Sequence, residues 1–223
     1  MPAQGPVPHR ELDDFGLIET MLWTATEGIA LLPYHMARLA RSSKALEFRH
    51  DQAAVDAAIA SAIAAEQPAT RLRVRLVAHP DGRVKATAQP EAPVAPGTIW
   101  KVAIARTRLD PDDPLIHHKT TRRAHYDDER VRLKREQGAD EALFLNERGD
   151  ICEGSITTVF AERHGTLYTP PAELGLLPGV LRESLLDLGR AHAHPITYED
   201  LKRGFFVGNA VRGLIRAALL STD

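Results

Sequence analysis

Apolar and polar positions change their period several times along this chain, and each change marks an element. From Phe15 to Thr24 apolar and β-favouring residues mix as in a strand, and Gly28-Ile29-Ala30-Leu31-Leu32 reads as its hairpin partner. At Pro33 the period becomes helical: Met36, Leu39, Ala40 and Leu46 recur at helix spacing while Arg38 and Arg41 lie off that stripe, so Arg38 could reach back over the hairpin. The alanine-rich run from Asp51 to Glu66 predicts a second helix by propensity. Arg71-Leu72-Arg73-Val74-Arg75-Leu76-Val77 alternates strictly, as a half-buried strand does, and Pro80-Asp81-Gly82 turns it into another hairpin. Farther on, the pattern predicts a strand at Trp100 to Ala105, a loop to His118 and a helix from Ala124 to Glu136. Strands at Glu141 to Leu145 and Ile156 to Ala161, a helix from Val180 to Leu188 and two shorter strands complete the reading.

Between the two halves, Gln89 to Gly97 holds three prolines and a glycine within nine positions, the composition of a boundary. We therefore expect a smaller N-terminal α/β domain over residues 1–93 and a larger C-terminal domain over 94–223. Helices mix with hairpins instead of alternating regularly with single strands, and no internal repeat appears, which favours an α+β architecture with mixed sheets.

Composition narrows the class. With 43% hydrophobic and 26% charged side chains over 223 residues, the chain has material for a sizeable core, so disorder does not dominate. A formal net charge of -2 argues against a nucleic-acid surface. Cys152 is the single cysteine, so no intrachain disulfide can form, and we expect a reducing, cytoplasmic setting. Met1 to Arg10 lacks the apolar core of a signal peptide, and no run of about eighteen uncharged apolar residues occurs, so no membrane span is expected.

Candidate chemistry lies in an ordered series of segments. Lys119 stands in His117-His118-Lys119-Thr120-Thr121-Arg122-Arg123, which alone looks like a solvated charged face. It is followed by Glu153-Gly154-Ser155, by Leu176-Leu177-Pro178-Gly179-Val180 and by Gly208-Asn209-Ala210. A pyridoxal phosphate enzyme needs an amine for the Schiff base, an acid for the ring nitrogen, and a helix start with an arginine for the phosphate. Lys119 supplies the amine; Glu153, beside a glycine that admits a flat ligand, supplies the acid; the helix opening at Pro178-Gly179-Val180 leaves first-turn N–H groups for an anion. Gly208-Asn209-Ala210 leaves further backbone donors accessible to phosphate or a substrate carboxylate. Taken singly, Glu153 also fits a solvent-facing strand edge, and the glycine start also fits a plain helix opening. His192-Ala193-His194 has no third ligand suggested nearby and reads as surface histidines, so no metal is expected. Cys152 reads as a small buried filler.

Taken in order, Phe15-Gly16-Leu17-Ile18-Glu19-Thr20, His35-Met36-Ala37-Arg38-Leu39, Lys119-Thr120-Thr121, Glu153-Gly154-Ser155-Ile156-Thr157-Thr158-Val159-Phe160, Leu177-Pro178-Gly179 and Gly208-Asn209-Ala210 resemble the class IV pyridoxal-phosphate family over nearly the whole chain. The resemblance implies the two-domain arrangement of fold type IV, with the cofactor in the interdomain cleft, and a homodimer. It implies that Lys119 is the Schiff-base lysine, Glu153 the pyridine-nitrogen partner, and Arg38 a phosphate-binding arginine. Val180 and Leu181 would give backbone N–H groups to the phosphate, Asn209 a further polar contact, and Ala210 a donor to a substrate carboxylate; Thr20 would sit at the cofactor's edge. Two departures are visible: Thr158 stands where the family commonly has asparagine, and the stretch before Phe15 is shorter than the usual strand pair. Within the family, His118 to Arg123 and Asn209-Ala210-Val211-Arg212-Gly213 look most like 4-amino-4-deoxychorismate lyases, whose dicarboxylate substrate could be met by Arg122, Arg123 or Arg212, with Thr20 assisting elimination. An aminotransferase using 2-oxoglutarate with branched-chain or D-amino acids, and a member that only binds the cofactor, are the alternatives.

Overall fold

The computed structural model describes residues 15–220; the proline-bearing start at 1–10 and the shortened stretch before Phe15 lie outside the described residues. The described chain forms two compact units. One takes in residues up to Ala92 together with His118–Arg122; the other comprises Pro93–His117 and the chain from Arg123 onward.

In the first unit, β1 (Leu17–Thr24), the two-residue β2 (Gly28–Ile29), β3 (Arg71–Ala78) and β4 (Val84–Pro90) form an antiparallel sheet of order β2-β1-β3-β4. The strict alternation of β3 is realised: Leu72, Val74, Leu76 and Ala78 are buried while the intervening arginines face outward. Helices α1 (Leu32–Ala45) and α2 (Gln52–Ala64) pack against this sheet. Asp51 caps α2 by accepting from the backbone N–H groups of Ala53 and Ala54, and Val55, Ile59 and Ala62 form its buried stripe.

One expectation fails in α1. The inward stripe is His35, Arg38, Leu39, Ser42 and Ser43, whereas Ala40 is exposed and Met36 half-buried, so Arg38 lies on the buried face. The reason is across the interface. β1 pairs Glu19 with Leu76 and Thr20 with Arg75, which turns the Glu19 carboxylate toward the core, and the helix above answers with polar groups.

The segment His118–Arg122 joins this unit through main-chain bonds. Ile18 N–H donates to Lys119 O at 2.8 Å, Thr121 N–H to Gly16 O at 2.8 Å, and Gly16 N–H to Thr121 Oγ1 at 2.9 Å. Only glycine fits at position 16, because a Cβ there would lie 2.6 Å from Val77 Cγ1.

The second unit is an eight-stranded mixed sheet of order β10-β9-β8-β11-β12-β5-β6-β7. Its strands are β5 (Ile99–Leu109), β6 (Glu141–Asn146), β7 (Ile151–Gly154), β8 (Thr158–Arg163), β9 (Thr166–Thr169), β10 (Ala191–Ala193), β11 (Phe205–Asn209) and β12 (Gly213–Leu219). Helix α3 (Ala124–Gln137) lies on β5 and β6, α4 (Val180–Asp187) on β10 and β11, and α5 (Tyr198–Arg203) on β8, β11 and β12. Both faces of β6, which lies between β5 and the edge strand β7, are covered, so all six of its residues are buried: Leu143 and Leu145 face one core with Val159 and Val207, Ala142 and Phe144 the other with Leu133 and Cys152. The α+β fold with mixed sheets agrees with expectation. Differences from the sequence reading are local. β5 runs four residues beyond Ala105, β7 and β9 were not anticipated, β8 opens at Thr158 instead of Ile156, and α5 with three strands replaces two strands after α4.

Candidate active site

In the second unit the site is built around a bulge. Leu145 pairs with Ile151 but Phe144 pairs with Glu153, leaving Cys152 as the extra residue of β7. Directly opposed residues share a face, so the insertion brings Glu153 onto the side of Phe144 instead of that of Ile151. There α3 meets it: the Tyr126 ring packs edge-on to Phe144 at 4.8 Å and its hydroxyl donates to Glu153 Oε1 at 2.7 Å. Leu177 N–H donates to Oε2 at 3.2 Å, and Glu153 is buried at 6% exposure. Burial, followed by the Glu153 charge, pushes the Tyr126 phenol far above its ordinary value, so this hydroxyl remains a donor. The same two causes, in the same order, push the Cys152 thiol up to about 12.

Residues 155–157 follow as a loop because a second buried carboxylate organises them. Glu141, 1% exposed at the start of β6, accepts from the N–H groups of Ser155 (3.1 Å) and Ile156 (3.2 Å), from Thr157 Oγ1 (2.8 Å) and from the Ser155 hydroxyl. Ser155 O in turn accepts from Arg123 Nη2 at 3.0 Å, and Ile156 O from Asn209 Nδ2 at 3.1 Å. Arg123 also forks onto Asp127, so its guanidinium braces the loop.

The proposed anion elements come together here. α4 opens at Gly179 with no side-chain cap, which leaves the first-turn N–H groups of Val180 and Leu181 without an intrahelical acceptor. A Cβ on Gly179 would lie 2.6 Å from Thr158 Oγ1, and one on Gly208 would lie 2.9 Å from Leu181 Cδ2 and 2.6 Å from Gly213 O. Thus Thr158, the helix start and the 208–213 turn close on one another only because both positions are glycine. Arg182 anchors the same first turn by donating to Pro170 O at 2.9 Å. Asn209 Oδ1 accepts from the N–H groups of Val211 and Arg212, both at 3.0 Å, so its carboxamide shapes this turn. Ala210 and Arg212 are half-buried in it, with the Arg212 guanidinium 5.9 Å from the Trp100 ring centroid. A neutral N–H donor set at an uncapped helix start suits a phosphate, and a buried carboxylate beside it suits a protonated ring nitrogen; the residues present fit pyridoxal phosphate.

In the first unit, Lys119 is half-buried and held by its backbone on β1, and its neighbour His118 contacts Ser42 Oγ on α1 through Nδ1 at 2.9 Å. Arg122 is exposed and stacks over Phe15 at 4.9 Å. Thr20 is half-buried on the Arg75 face of β1, whereas Arg38 lies on the Glu19 face, so the sheet does not bring these two side chains together. Arg38 forks onto Glu19, Nε to Oε1 at 2.9 Å and Nη2 to Oε2 at 2.6 Å, and His35 Nδ1 lies 2.6 Å from Oε2. Burial raises the Glu19 carboxyl, but the Arg38 charge and the bonds from His35 and Arg38 outweigh it and bring it down to about 2.

Sequence reasoning missed Glu19, His35, Glu141 and the role of Tyr126. A signal existed for Glu19, which alternates with Leu17 and Met21 on one strand face, and for His35, which is spaced with Arg38, Leu39 and Ser42 along one helix face. Elsewhere, His192 and His194 are exposed and flank the Tyr168 ring.

A family model described as amino-transferase class IV matches residues 16–220. A crystal structure from Mesorhizobium loti, named "Putative amino-acid aminotransferase", is 44% identical; the match covers 93% of this chain and 100% of that one, with a TM-score of 0.87. The "Probable branched-chain-amino-acid aminotransferase" of Synechocystis sp. is 40% identical over 53 residues, 24% of this chain and 17% of that protein. The "Aminodeoxychorismate lyase" of Bacillus subtilis is 40% identical over 57 residues, 24% of this chain and 20% of that protein. The matched stretch spans less than a quarter of the length of either curated relative.

Proposed function

Because the chain belongs to the class IV aminotransferase family, whose enzymes depend on pyridoxal phosphate, we propose that it acts as a 4-amino-4-deoxychorismate lyase, releasing pyruvate and 4-aminobenzoate for folate biosynthesis. The observation that carries the cofactor chemistry is the buried Glu153 carboxylate, held by Tyr126 and Leu177 beside the uncapped start of α4. When bound, pyridoxal phosphate supplies an electron sink for the pair left behind as a proton leaves the substrate.

The chain's own groups divide the remaining work. Glu153 keeps the pyridine nitrogen protonated. With pyridoxal phosphate bound, Lys119 would hold it through its amine and would serve as the base and acid that moves the substrate's ring proton. The N–H groups of Val180 and Leu181, the Arg38 guanidinium and the turn shaped by Asn209 receive the phosphate. Ala210 N–H meets a substrate carboxylate, and Arg122 and Arg212 orient the carboxylates of a dianionic substrate. Thr20 assists the elimination with its hydroxyl. These two arginines, each on a segment that carries a proposed cofactor residue, support the lyase over an enzyme for apolar substrates.

The second reading is an aminotransferase acting on branched-chain or D-amino acids with 2-oxoglutarate, and the Synechocystis relative favours it. It uses the same Lys119 and Glu153. A member that binds the cofactor without turnover is disfavoured by the presence of both residues. The cofactor-loaded protein is to be incubated with enzymatically generated aminodeoxychorismate, and separately with branched-chain and D-amino acids plus 2-oxoglutarate. Equal amounts of pyruvate and 4-aminobenzoate support the lyase; glutamate without them replaces it with the aminotransferase. A visible absorbance band that vanishes in Lys119→Ala supports the assignment of that lysine, and failure to acquire the band from added pyridoxal phosphate overturns the cofactor reading.

A further inference from the structure

The triad of Glu19, Arg38 and His35 is built within the first unit and none of its three members is exposed: Glu19 is 1%, Arg38 5% and His35 0% accessible. Burying two formal charges is costly, and a pair serving stability alone could be replaced by apolar packing. Here the carboxylate takes the Nε and Nη2 edge of the guanidinium in a fork, which fixes the plane of the group and the direction of its opposite edge. His35 Nδ1 contacts the same oxygen as Arg38 Nη2. A carboxylate only accepts, so Nδ1 carries the hydrogen and the histidine fixes the carboxylate's own rotation. His35 Nε2 is buried and has no hydrogen-bond partner among the described residues, so the ring's polar contact is the one made by Nδ1.

We propose that Glu19 and His35 are positioning residues which orient the Arg38 guanidinium toward the phosphate of a bound phosphomonoester cofactor. The inference rests on the assignment of Arg38 to the phosphate. Glu19 holds the arginine, and His35 holds Glu19, so the order of effect along the triad is Arg38, Glu19, His35.

The test compares the affinities of the full chain, freed of cofactor by dialysis, for pyridoxal phosphate and for pyridoxal. Both probes carry the aldehyde that meets Lys119, and only one carries phosphate, so the dissociation constant of pyridoxal divided by that of pyridoxal phosphate isolates the phosphate's share. A side chain that matters only for folding moves both affinities together and leaves the ratio unchanged. Arg38→Gln, Glu19→Gln and His35→Leu are each expected to lower the ratio, by about tenfold for Glu19→Gln, the order of one misdirected charge-assisted hydrogen bond. His35→Asn keeps an N–H near the Nδ1 position and is expected to restore it. If Arg38→Gln lowers the ratio while Glu19→Gln and His35→Leu leave it at the wild-type value, the positioning role is overturned and the phosphate assignment stands. If Arg38→Gln itself leaves the ratio unchanged, the assignment of Arg38 falls and the inference falls with it. Should Glu19→Gln fail to fold, the contrast between His35→Leu and His35→Asn decides: a lowered ratio restored by asparagine supports the role, and two equal ratios overturn it.

Discussion

Replacing Glu141 tests whether one buried carboxylate holds the segment that follows Glu153. Its Oε1 accepts from the N–H groups of Ala142 (2.9 Å) and Ser155 and from the Ser155 hydroxyl; its Oε2 accepts from Ile156 N–H and the Thr157 hydroxyl. Glu141→Ala leaves these donors inside the protein without an acceptor. Hydrogen bonds to a charged group contribute roughly 1.5–3 kcal/mol each, but losses within one network are not additive, so we expect about 3–5 kcal/mol of destabilisation. Glu141→Gln is milder and more informative. With its carbonyl at the Oε1 position, glutamine keeps three acceptor contacts, and the Thr157 hydroxyl can rotate to accept. The Ile156 N–H, however, then faces another donor, at a cost of about 1–3 kcal/mol. Urea denaturation followed by fluorescence gives both values from the shift in midpoint at constant slope. The reasoning is refuted if alanine costs under 1 kcal/mol or if glutamine costs as much as alanine. A Thr157→Val partner in a double-mutant cycle with Glu141→Gln is expected to couple by at least 0.5 kcal/mol, since the two groups touch.

Other outcomes follow from the same geometry. The Glu19 carboxyl is lowered to about 2 in the folded protein from an ordinary 4.5, so its stabilisation is fully present above pH 4.5 and is lost as pH falls toward 2. Subtracting the acid-unfolding profile of Glu19→Gln from that of the wild type is expected to show a contribution on the order of 3 kcal/mol that declines across this window; a difference independent of pH would contradict the assignment. Tyr126→Phe removes the hydroxyl donor to Glu153 and is expected to cost about 1–2 kcal/mol and to shift the absorbance of bound cofactor, while an unchanged spectrum would disconnect Tyr126 from the site. Cys152, buried and with its thiol pushed up to about 12, is expected to resist a disulfide reagent at pH 8 until the protein is unfolded in urea; rapid labelling of the native protein would contradict its burial.

What the chain disclosed depended on whether a residue's surroundings were local. The alternation of β3 was readable because one face meets the core directly, and the presence of α2 was readable from its alanine content. α1 was located correctly, but its buried side was misjudged, since the polarity of that side answers a glutamate on a neighbouring strand. Residues 156 and 157 looked like the start of a strand, and their conformation is decided instead by the Glu141 carboxylate fifteen and sixteen positions earlier. Glu153 was legible as an acid beside a glycine; its burial depends on a one-residue insertion that no periodicity announces.

The return of His118–Arg122 to the first unit has a consequence for biosynthesis. Gly16 and Thr121 are hydrogen-bonded across 105 residues, so a nascent chain that ends at Ala92 has all four strands and both helices of that unit but lacks the segment that binds the first residues of β1. At 5–20 residues per second, the 29 residues from Ala92 to Thr121 require roughly 1.5–6 s more of translation. Throughout that interval the backbone of Gly16 and Ile18 lacks its final partners and Lys119 does not yet exist. A fragment cut at the proline-rich junction is therefore an early state of synthesis, with one edge of β1 still open to other strands.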